Sequence, residues 1–256
     1  MVGLNEVYLG DCLELMSDIP DKSIDMILCD LPYGTTKCKW DVIIPLDELW
    51  THYTRIIKDN GAILLFAQTP FDKVLGSSNL KWLRYEWIWE KTQATGFLNA
   101  KRMPLKAHEN ILVFYKKLPK YNPQKTTGHK PINSYTKRPE VQNKTDIYGD
   151  MKAVIKGGGE TDRYPRTVQV FSSDKQVNKS NGFIHPTQKP VKLLEYLIKT
   201  YTDEGDLVLD NAAGSSSTAI AAIRTGRDYI MMEKEEKYVT LSKKRIENET
   251  KNNSNK

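Results

Sequence analysis

The feature that most constrains this chain is an apolar run that ends in a carboxylate, a proline and an aromatic ring. Residues 26–29 are uninterruptedly apolar, and the tetrapeptide Asp30-Leu31-Pro32-Tyr33 follows directly. Because such runs are typical of strands buried on both faces of a parallel sheet, we expect the tetrapeptide at the carboxyl end of a parallel strand. Ligands of open α/β sheets bind beyond that end of the strands.

The chemistry of the tetrapeptide suits a flat base that carries an amine. Pro32 has a fixed φ and no N–H, so it holds a turn while neighbouring carbonyl oxygens stay free to accept protons. Asp30 adds a carboxylate acceptor, and Tyr33 adds a ring that can stack. These residue types together predict a binding site for a nucleobase turned out of its helix.

The surrounding pattern predicts an α/β fold. Gly61–Phe66 repeats the apolar character of the first run, and Pro45–Lys58 has the three-to-four spacing of an amphipathic helix that Asn60-Gly61 would end. This order is a β-α-β unit. Two further strands are expected at Tyr85–Trp89 and Asn110–Tyr115.

Apolar spacing typical of an α/β fold is found again near the C-terminus. The apolar spacing predicts, in chain order, a helix, a strand, a helix, a strand and a closing helix. Their expected ranges are Val191–Tyr201, Leu207–Asp210, Ser217–Thr225, Tyr229–Glu233 and Tyr238–Asn248. The polar end, 248–256, is expected to be a disordered tail.

Between these halves lies a basic segment without periodicity, Lys116 to Phe183. It holds fourteen basic and six acidic residues, a net +8, against +6 for the whole chain. We expect residues 117–183 to be an insertion that attracts phosphates, with a solvated flexible loop as the alternative. Five residues are the candidate nucleic-acid contacts: Lys130, Lys137, Arg138, Arg163 and Arg166.

Composition and cysteine usage narrow the class of protein. The longest compact apolar stretch, Ala62–Ala67, is far below the roughly 20 residues that span a bilayer, so a soluble cytoplasmic protein is expected. The three cysteines, Cys12, Cys29 and Cys38, lack C-x-x-C spacing. This argues against both a disulfide framework and a zinc site, and no metal is expected.

A second motif predicts a nucleoside cofactor. Small residues follow the strand ending at Asp210, which lets the backbone approach a ligand closely, and Glu233 follows Gly214 by 19 positions, where an acidic residue can hold ribose hydroxyls. Ser216 interrupts any G-x-G-x-x-G, so a dinucleotide pyrophosphate site is poorly supported.

The two motifs resemble those of one family. Asp30–Tyr33 is similar to the Asp-Pro-Pro-Tyr signature of amino-group DNA methyltransferases, with Leu31 in place of the first proline. Residues 210–218 resemble the Asp-x-Phe-x-Gly-Ser-Gly loop that binds S-adenosylmethionine in that family. Here Ala212 replaces the phenylalanine and Ser216 replaces the second glycine.

Shorter segments carry the same resemblance. His185–Pro190 resembles the H-P-T-x-K-P segment beside the methionine end of the cofactor, and Gly10-Asp11-Cys12 resembles the turn whose carboxylate accepts from the cofactor adenine. Without the resemblance, Asp11 is simply an N-cap for a helix from Leu13 to Met16. Trp89–Lys91 and 108–110 also match family positions, although core packing and a surface pair explain them equally well.

The order of motifs resembles the β group of these enzymes. The resemblance implies a Rossmann-like methyltransferase sheet with circularly permuted motif order, a catalytic domain of 1–116 and 184–247, and a target-recognition insertion. It implies Asp30, Pro32 and Tyr33 as catalytic residues. It implies these cofactor-binding residues: Asp11, Cys12, His185, Thr187, Lys189, Asp210, Ala212, Gly214, Ser215, Ser217, Thr218 and Glu233. Expected partners are double-stranded DNA, a second copy as a homodimer, and a cognate restriction endonuclease.

The implied reaction is methyl transfer from S-adenosylmethionine to adenine N6 in DNA, and alternatives stay open. Cytosine N4 uses the same chemistry, but family members of that type more often begin the tetrapeptide with serine, so Asp30 favours adenine. RNA stays open as a substrate. A dinucleotide-dependent oxidoreductase would use Asp210–Glu233 but explains neither the tetrapeptide nor the basic segment. A non-catalytic nucleic-acid-binding module, its cofactor lost through Ala212 and Ser216, is the third alternative.

Overall fold

The apolar runs form strands of one large sheet in the computed structural model, which describes residues 2–35, 41–131, 141–145, 149–153, 159–174 and 188–254. Within this part, the strands are β1 Glu6–Leu9, β2 Ile24–Cys29, β3 Ile57–Ala67, β4 Leu83–Thr95, β5 Lys106–Phe114, β6 Val141–Thr145, β7 Gly149–Ala153, β8 Val168–Phe171, β9 Leu207–Asp210 and β10 Asp228–Glu233. The helices are α1 Cys12–Met16, α2 Leu46–Ile56, α3 Phe71–Ser78, α4 Val191–Tyr201, α5 Ser217–Arg224 and α6 Glu236–Ser254. A 3₁₀ turn covers Phe97–Asn99.

The large sheet has eight strands in the order β1-β10-β9-β2-β3-β5-β4-β8. The first five run parallel, β5 is antiparallel to both of its neighbours, and β8 is parallel to β4. Helices α1, α2 and α3 cover one face, and α4, α5 and α6 cover the other. Residues 26–29 of β2 and 62–67 of β3 are buried from both sides, and these two stretches are continuously apolar, as expected. The predicted α/β fold is therefore confirmed.

The end of the first predicted helix differs from the expectation. Helix α2 ends at Ile56 and β3 begins at the next residue, so Gly61 lies inside a strand and does not stop the helix. The register between β2 and β3 shifts here. A Cβ on Gly61 would lie 2.7 Å from the Ile57 side chain and 2.8 Å from the Asp25 carbonyl oxygen. Glycine is thus needed because two backbones approach closely at the bulge.

The chain divides into two compact units, one of Met1–Asn122 with Thr167–Lys256 and one of Pro123–Arg166. The smaller unit is shorter than the predicted insertion, because β8 pairs with β4 in the large sheet. In the smaller unit, β6 and β7 pair antiparallel, and Thr126 and Arg163 form an antiparallel bridge with N···O distances of 3.0 and 2.8 Å.

The polar C-terminal segment is helical as far as Ser254, whereas a disordered tail was expected from 248. Two side-chain contacts explain the difference. Arg224 of α5 donates to both carboxylate oxygens of Glu249 at 2.7 and 2.9 Å, and Lys251 pairs with Glu247 one turn earlier. In the described part of the chain, none of the helices has the length and apolar character needed to cross a membrane.

Candidate active site

The sheet topology brings the two sequence motifs to neighbouring strands. Strands β2 and β9 pair in parallel, with Met26 opposite Val208 and Ile27 opposite Leu209. From β2 the chain crosses through α2 to one side of the sheet, and from β9 it crosses through α5 to the other side. The connections therefore diverge between β2 and β9, which is where open α/β sheets form a ligand crevice.

A cavity of about 850 Å³ opens at this point. Its wall includes the whole Asp30–Tyr33 tetrapeptide as well as Gly214 and Glu233. The predicted catalytic and cofactor-binding residues that line it are Asp11, Cys12, Asp30, Pro32, Tyr33, Lys189, Asp210, Ala212, Gly214, Ser215, Ser217, Thr218 and Glu233. The structure thus brings together residues that lie almost two hundred positions apart in the chain. His185 and Thr187 lie outside the described residues.

Asp30 is held by two side chains. The Tyr33 hydroxyl donates to its Oδ1 at 2.7 Å, and the Lys189 ammonium donates to its Oδ2. The Tyr33 ring stacks on Phe71 with centroids 5.3 Å apart. Each carboxylate oxygen has two lone pairs, so Asp30 retains acceptor capacity toward the cavity after both contacts are made.

Lys189 connects Asp30 to a second, buried ion pair. Its Nζ lies 3.2 Å from Oε2 of Glu109, whose Oε1 lies 2.5 Å from Nζ of Lys91. The Lys189 and Glu109 side chains are only 9% and 6% exposed, so water screens these charges little. Lys189 also lies 5.2 Å from the centroid of the Phe66 ring. Two cations therefore alternate with two carboxylates along the cavity wall.

The pKa values in this network follow from burial and charge. Burial raises the pKa of Asp30, the Lys189 ammonium opposes that rise, and the Glu109 carboxylate adds to it. Burial alone would lower the pKa of Lys189, but Asp30 and Glu109 outweigh it and raise that pKa. In Glu109, the two lysines outweigh burial, and its pKa is lowered. Lys189 is therefore the main group that favours the ionised form of Asp30, and the hydrogen bond from the Tyr33 hydroxyl adds to its effect.

The opposite wall is built mainly from backbone groups and hydroxyls. Asp210 accepts from the Thr218 hydroxyl at 2.6 Å and from the Ala212 N–H at 3.1 Å, and burial raises its pKa to about 6. Glu233 accepts from the Gly214 N–H at 2.8 Å and from the Glu235 N–H at 2.8 Å. Burial is also the main reason that the pKa of Glu233 is raised.

Asp11 and Cys12 complete this wall. Asp11 accepts from the Leu13 N–H at 3.0 Å, as expected for the N-cap of α1, and this bond is the largest cause of its lowered pKa. Its other oxygen lies 3.1 Å from the Lys234 ammonium. The Cys12 thiol accepts from the Asn211 amide at 3.4 Å, and burial raises its pKa. Cys12 therefore remains a neutral thiol that contributes packing and not charge.

The sequence profile of the DNA methylase family, which spans N6 and N4 enzymes, matches residues 24–244. The chain belongs to the DNA methylase family. The resemblance carried by the two motifs is therefore confirmed at the level of the family, and the protein is a DNA methyltransferase. The profile does not distinguish adenine N6 from cytosine N4 as the acceptor.

Individual relatives agree with this assignment. The type II methyltransferase M1.MboII of Moraxella bovis is 27% identical over 93% of this chain and 95% of its own length. A crystal structure of the M1.HpyAVI-SAM complex has a TM-score of 0.64 at 21% identity, covering 94% of this chain and 98% of that one. The cytosine-N4-specific PvuII DNA methyltransferase has a TM-score of 0.67 at 17% identity, covering 98% and 92%. The two structures show that the fold is shared.

Two residues that belong to neither sequence motif support the cofactor-side loop of the methylase. Arg245 of α6 donates to the Ser215 carbonyl oxygen at 2.8 Å and to the Ser217 hydroxyl at 3.0 Å. Ser242, one helical turn earlier, donates to the Gly214 carbonyl oxygen at 3.0 Å. Their three-residue spacing places both on one helix face, but only packing shows that this face braces the loop.

The methylase also carries a strained residue in that loop. Ser216 has φ 55° and ψ 40°, the left-handed region that costs a non-glycine residue roughly 1–2 kcal/mol. Its side chain is fully buried, and its hydroxyl has no hydrogen-bond partner among the residues that the structure describes. The resemblance places a glycine at this position, and the backbone conformation gives the physical reason.

The predicted nucleic-acid contacts of the methylase fall into two groups. Lys130, Arg163 and Arg166 belong to the smaller unit, whereas Lys137 and Arg138 lie outside the described residues. Arg163 donates to the carbonyl oxygens of Glu160, at 3.1 Å, and Lys130, at 2.5 Å. Its guanidinium therefore supports the backbone of its own unit, while the Lys130 side chain is exposed.

Proposed function

We propose that this DNA methylase transfers the methyl group of S-adenosylmethionine to the exocyclic N6 of adenine in duplex DNA. The observation that carries the proposal is the single cavity lined both by the Asp30–Tyr33 tetrapeptide and by the Asp210–Thr218 loop. A cofactor site and an amine-accepting site must share one space, because the reacting atoms have to come within about 3.5 Å of each other.

The loop side of the cavity fits the cofactor. Small residues at Ala213, Gly214 and Ser215 allow close approach, and Glu233 and Asp11 supply the carboxylate acceptors that hydroxyl and amine groups require. When bound, S-adenosylmethionine would supply a methyl group on a sulfonium, and an aligned amine would form the new carbon–nitrogen bond as the carbon–sulfur bond breaks, leaving a neutral thioether while the nitrogen loses one proton. The buried thiols of Cys12 and Cys29 have no role in such a transfer.

The tetrapeptide side would hold and orient the amine. The Asp30 carboxylate and the carbonyl oxygens beside Pro32 would accept the N6 protons, which directs the nitrogen lone pair out of the ring and toward the methyl group. Asp30 must be ionised to accept, and Lys189 favours that form. Tyr33 would exchange its contact with Phe71 for stacking on the base.

The smaller unit would supply phosphate contacts and sequence readout. Its exposed lysines predict a salt-dependent affinity, because each neutralised phosphate releases counterions. We expect Lys130→Ala to weaken duplex binding and reduce the slope of log K against log salt by about one in a titration followed by fluorescence anisotropy. Lys81→Ala is the matched control, because Lys81 is exposed in the large unit just before β4 begins, at the end of the strands away from the cavity. An unchanged slope for Lys130→Ala would contradict its role.

Long-read sequencing of DNA from expressing cells tests the whole proposal. The host should lack its own adenine methylation, and cells expressing Asp30→Ala serve as the control. N6-methyladenine at one recurrent sequence is expected with the wild-type chain alone. N4-methylcytosine would transfer the proposal to the alternative base, and unmodified DNA would refute methylation in duplex DNA altogether.

A protective role follows from the same proposal. The relative M1.MboII is named a type II methyltransferase. We infer that this methylase likewise shields its recognition sequence from a cognate restriction endonuclease. Plasmid recovered from the expressing cells should resist an endonuclease that cleaves the mapped sequence. Cleavage of that plasmid as fast as unmodified plasmid would contradict the inference. A homodimer stays a prediction, for which sedimentation of the full chain is the measurement.

A further inference from the structure

The connection between β4 and β5 carries an exposed apolar tip, Gly96–Pro104. Within it, Phe97 is 71% exposed, Leu98 is fully exposed, and Met103 is 54% exposed. Single exposed apolar side chains are ordinary, but three large ones within seven residues form a patch of the kind that marks a binding surface.

The tip is an ordered turn, so its exposure is built in. Gly96 has φ 94°, which allows the chain to enter the 3₁₀ turn Phe97–Asn99. The Asn99 N–H donates to the Gly96 carbonyl oxygen at 2.9 Å, and the Met103 N–H donates to the Asn99 carbonyl oxygen at 3.0 Å. The turn therefore directs Phe97 and Leu98 outward before any partner binds.

The stem of the tip belongs to the cavity wall. The last β4–β5 pair is Thr95 with Lys106, and both residues line the cavity. The Lys106 ammonium donates to the Gln68 side-chain oxygen at 3.1 Å, which anchors the stem to the segment after β3. Since β4 runs in the same direction as β2, the carboxyl ends of both strands lie at the same end of the sheet. The tip therefore projects on the side from which a base would enter.

The charge around the tip matches a phosphate backbone. Between Glu90 and Glu109 the sequence contains no carboxylate, whereas Lys101, Arg102 and Lys106 are exposed there. Apolar side chains flanked by cations, without any acidic residue, suit a polyanion whose interior is apolar. A protein partner would not require this one-sided charge.

We propose that the tip is a wedge that enters the base stack of duplex DNA beside the extruded base. Phe97 and Leu98 would fill the gap left by that base, and Lys101 and Arg102 would contact the flanking phosphates. The inference rests on the proposed function, because only a base turned out of the helix leaves such a gap. Filling it offsets part of the cost of unstacking and unpairing, which otherwise opposes entry of the base into the cavity.

The test uses two duplexes that carry the sequence mapped in expressing cells, one with the target base paired and one with it mispaired. A mispaired base costs less to extrude, so a wedge should matter less for it. We expect Leu98→Ser and Phe97→Ser to lower kcat on the paired duplex roughly tenfold and to recover to within about twofold of wild type on the mispaired one. Leu80→Ser is the matched control, because Leu80 is 68% exposed at the opposite edge of the sheet.

Three results would overturn the wedge. They are an equal loss of kcat on both duplexes, no loss of kcat on either, and a loss of kcat accompanied by a smaller sedimentation coefficient. The last result would assign the tip to a contact between two copies of the chain. S-adenosylmethionine affinity, measured by calorimetry, should be the same in all variants, which shows that they are folded. Wild-type protein that methylates neither duplex would instead refute the proposed function, so the two failures are distinct.

Discussion

The two walls of the cavity are held by different kinds of interaction. On the Asp30 side, side chains from three separate parts of the chain, Lys91, Glu109 and Lys189, form alternating ion pairs. On the Asp210 side, main-chain N–H groups, hydroxyls and the Arg245 brace fix the loop. Side-chain ion pairs can rearrange when a charged or polar ligand enters, whereas a backbone cradle keeps its shape. Under the proposed function, methyl transfer would take place at the adaptable wall and cofactor binding at the rigid one.

Removing the Asp30 carboxylate from the adaptable wall should have the largest effect, and that effect should fall on methyl transfer and not on cofactor affinity. We expect Asp30→Ala to lower methyl transfer about a thousandfold, because the amine loses its carboxylate acceptor. Cofactor affinity should stay within a few-fold of wild type, because the other wall is untouched. Radiolabel transfer and calorimetry measure the two quantities. Asp47→Ala, an exposed carboxylate on α2, is the control, and an active Asp30→Ala enzyme would refute the assignment.

Asp210, in the rigid wall, should lower the free energy of unfolding by an amount that depends on pH. The pKa of Asp210 rises from 3.8 to about 6 on folding, which corresponds to about 3 kcal/mol. An acid with a raised folded pKa favours the folded state at low pH, and this favourable contribution is lost as pH rises through 6. Asp210→Asn should therefore be more stable than wild type at pH 7.5, with the advantage disappearing toward pH 4. Urea unfolding across this range checks it, and a pH-independent difference would contradict it.

The ion pairs on the adaptable wall should set the pH dependence of catalysis. Lys189→Met removes the cation that opposes the raised pKa of Asp30, while burial, Glu109 and Asp210 remain. The acidic limb of the kcat profile should therefore move upward by about one pH unit or more. Lys189→Arg keeps the charge and should leave the limb near its wild-type position. If both variants shifted it equally, geometry and not charge would be responsible.

The smallest expected effect concerns strain in the rigid wall. Ser216→Gly should raise the free energy of unfolding by about 1 kcal/mol, because glycine adopts the left-handed conformation freely and removes a buried hydroxyl that has no partner within the described ranges. Ser216→Ala removes the hydroxyl but keeps the strained backbone, so comparing the two variants separates the causes. A gain for alanine equal to that for glycine would assign the whole effect to the hydroxyl.

Much of the fold was predictable because it depends on local pattern. Strands β2 and β9, helices α4 and α5, and the N-cap at Asp11 all follow from apolar periodicity or from short-range hydrogen bonds. The prediction failed where a distant contact overrides a local signal. Gly61 is needed because of a neighbouring strand, and α6 continues past residue 248 because Arg224 of another helix binds Glu249.

The sequence by itself determined which residue types stand at the ends of the strands, and hence the two motifs and the family to which they belong. Only the tertiary structure decided that β2 and β9 are neighbours, that Lys189 reaches Asp30 and Glu109, and that the β4–β5 tip stays exposed. The physical reason is range. Periodicity and capping act over a few residues, whereas strand order and buried charge pairing join segments that no local pattern connects.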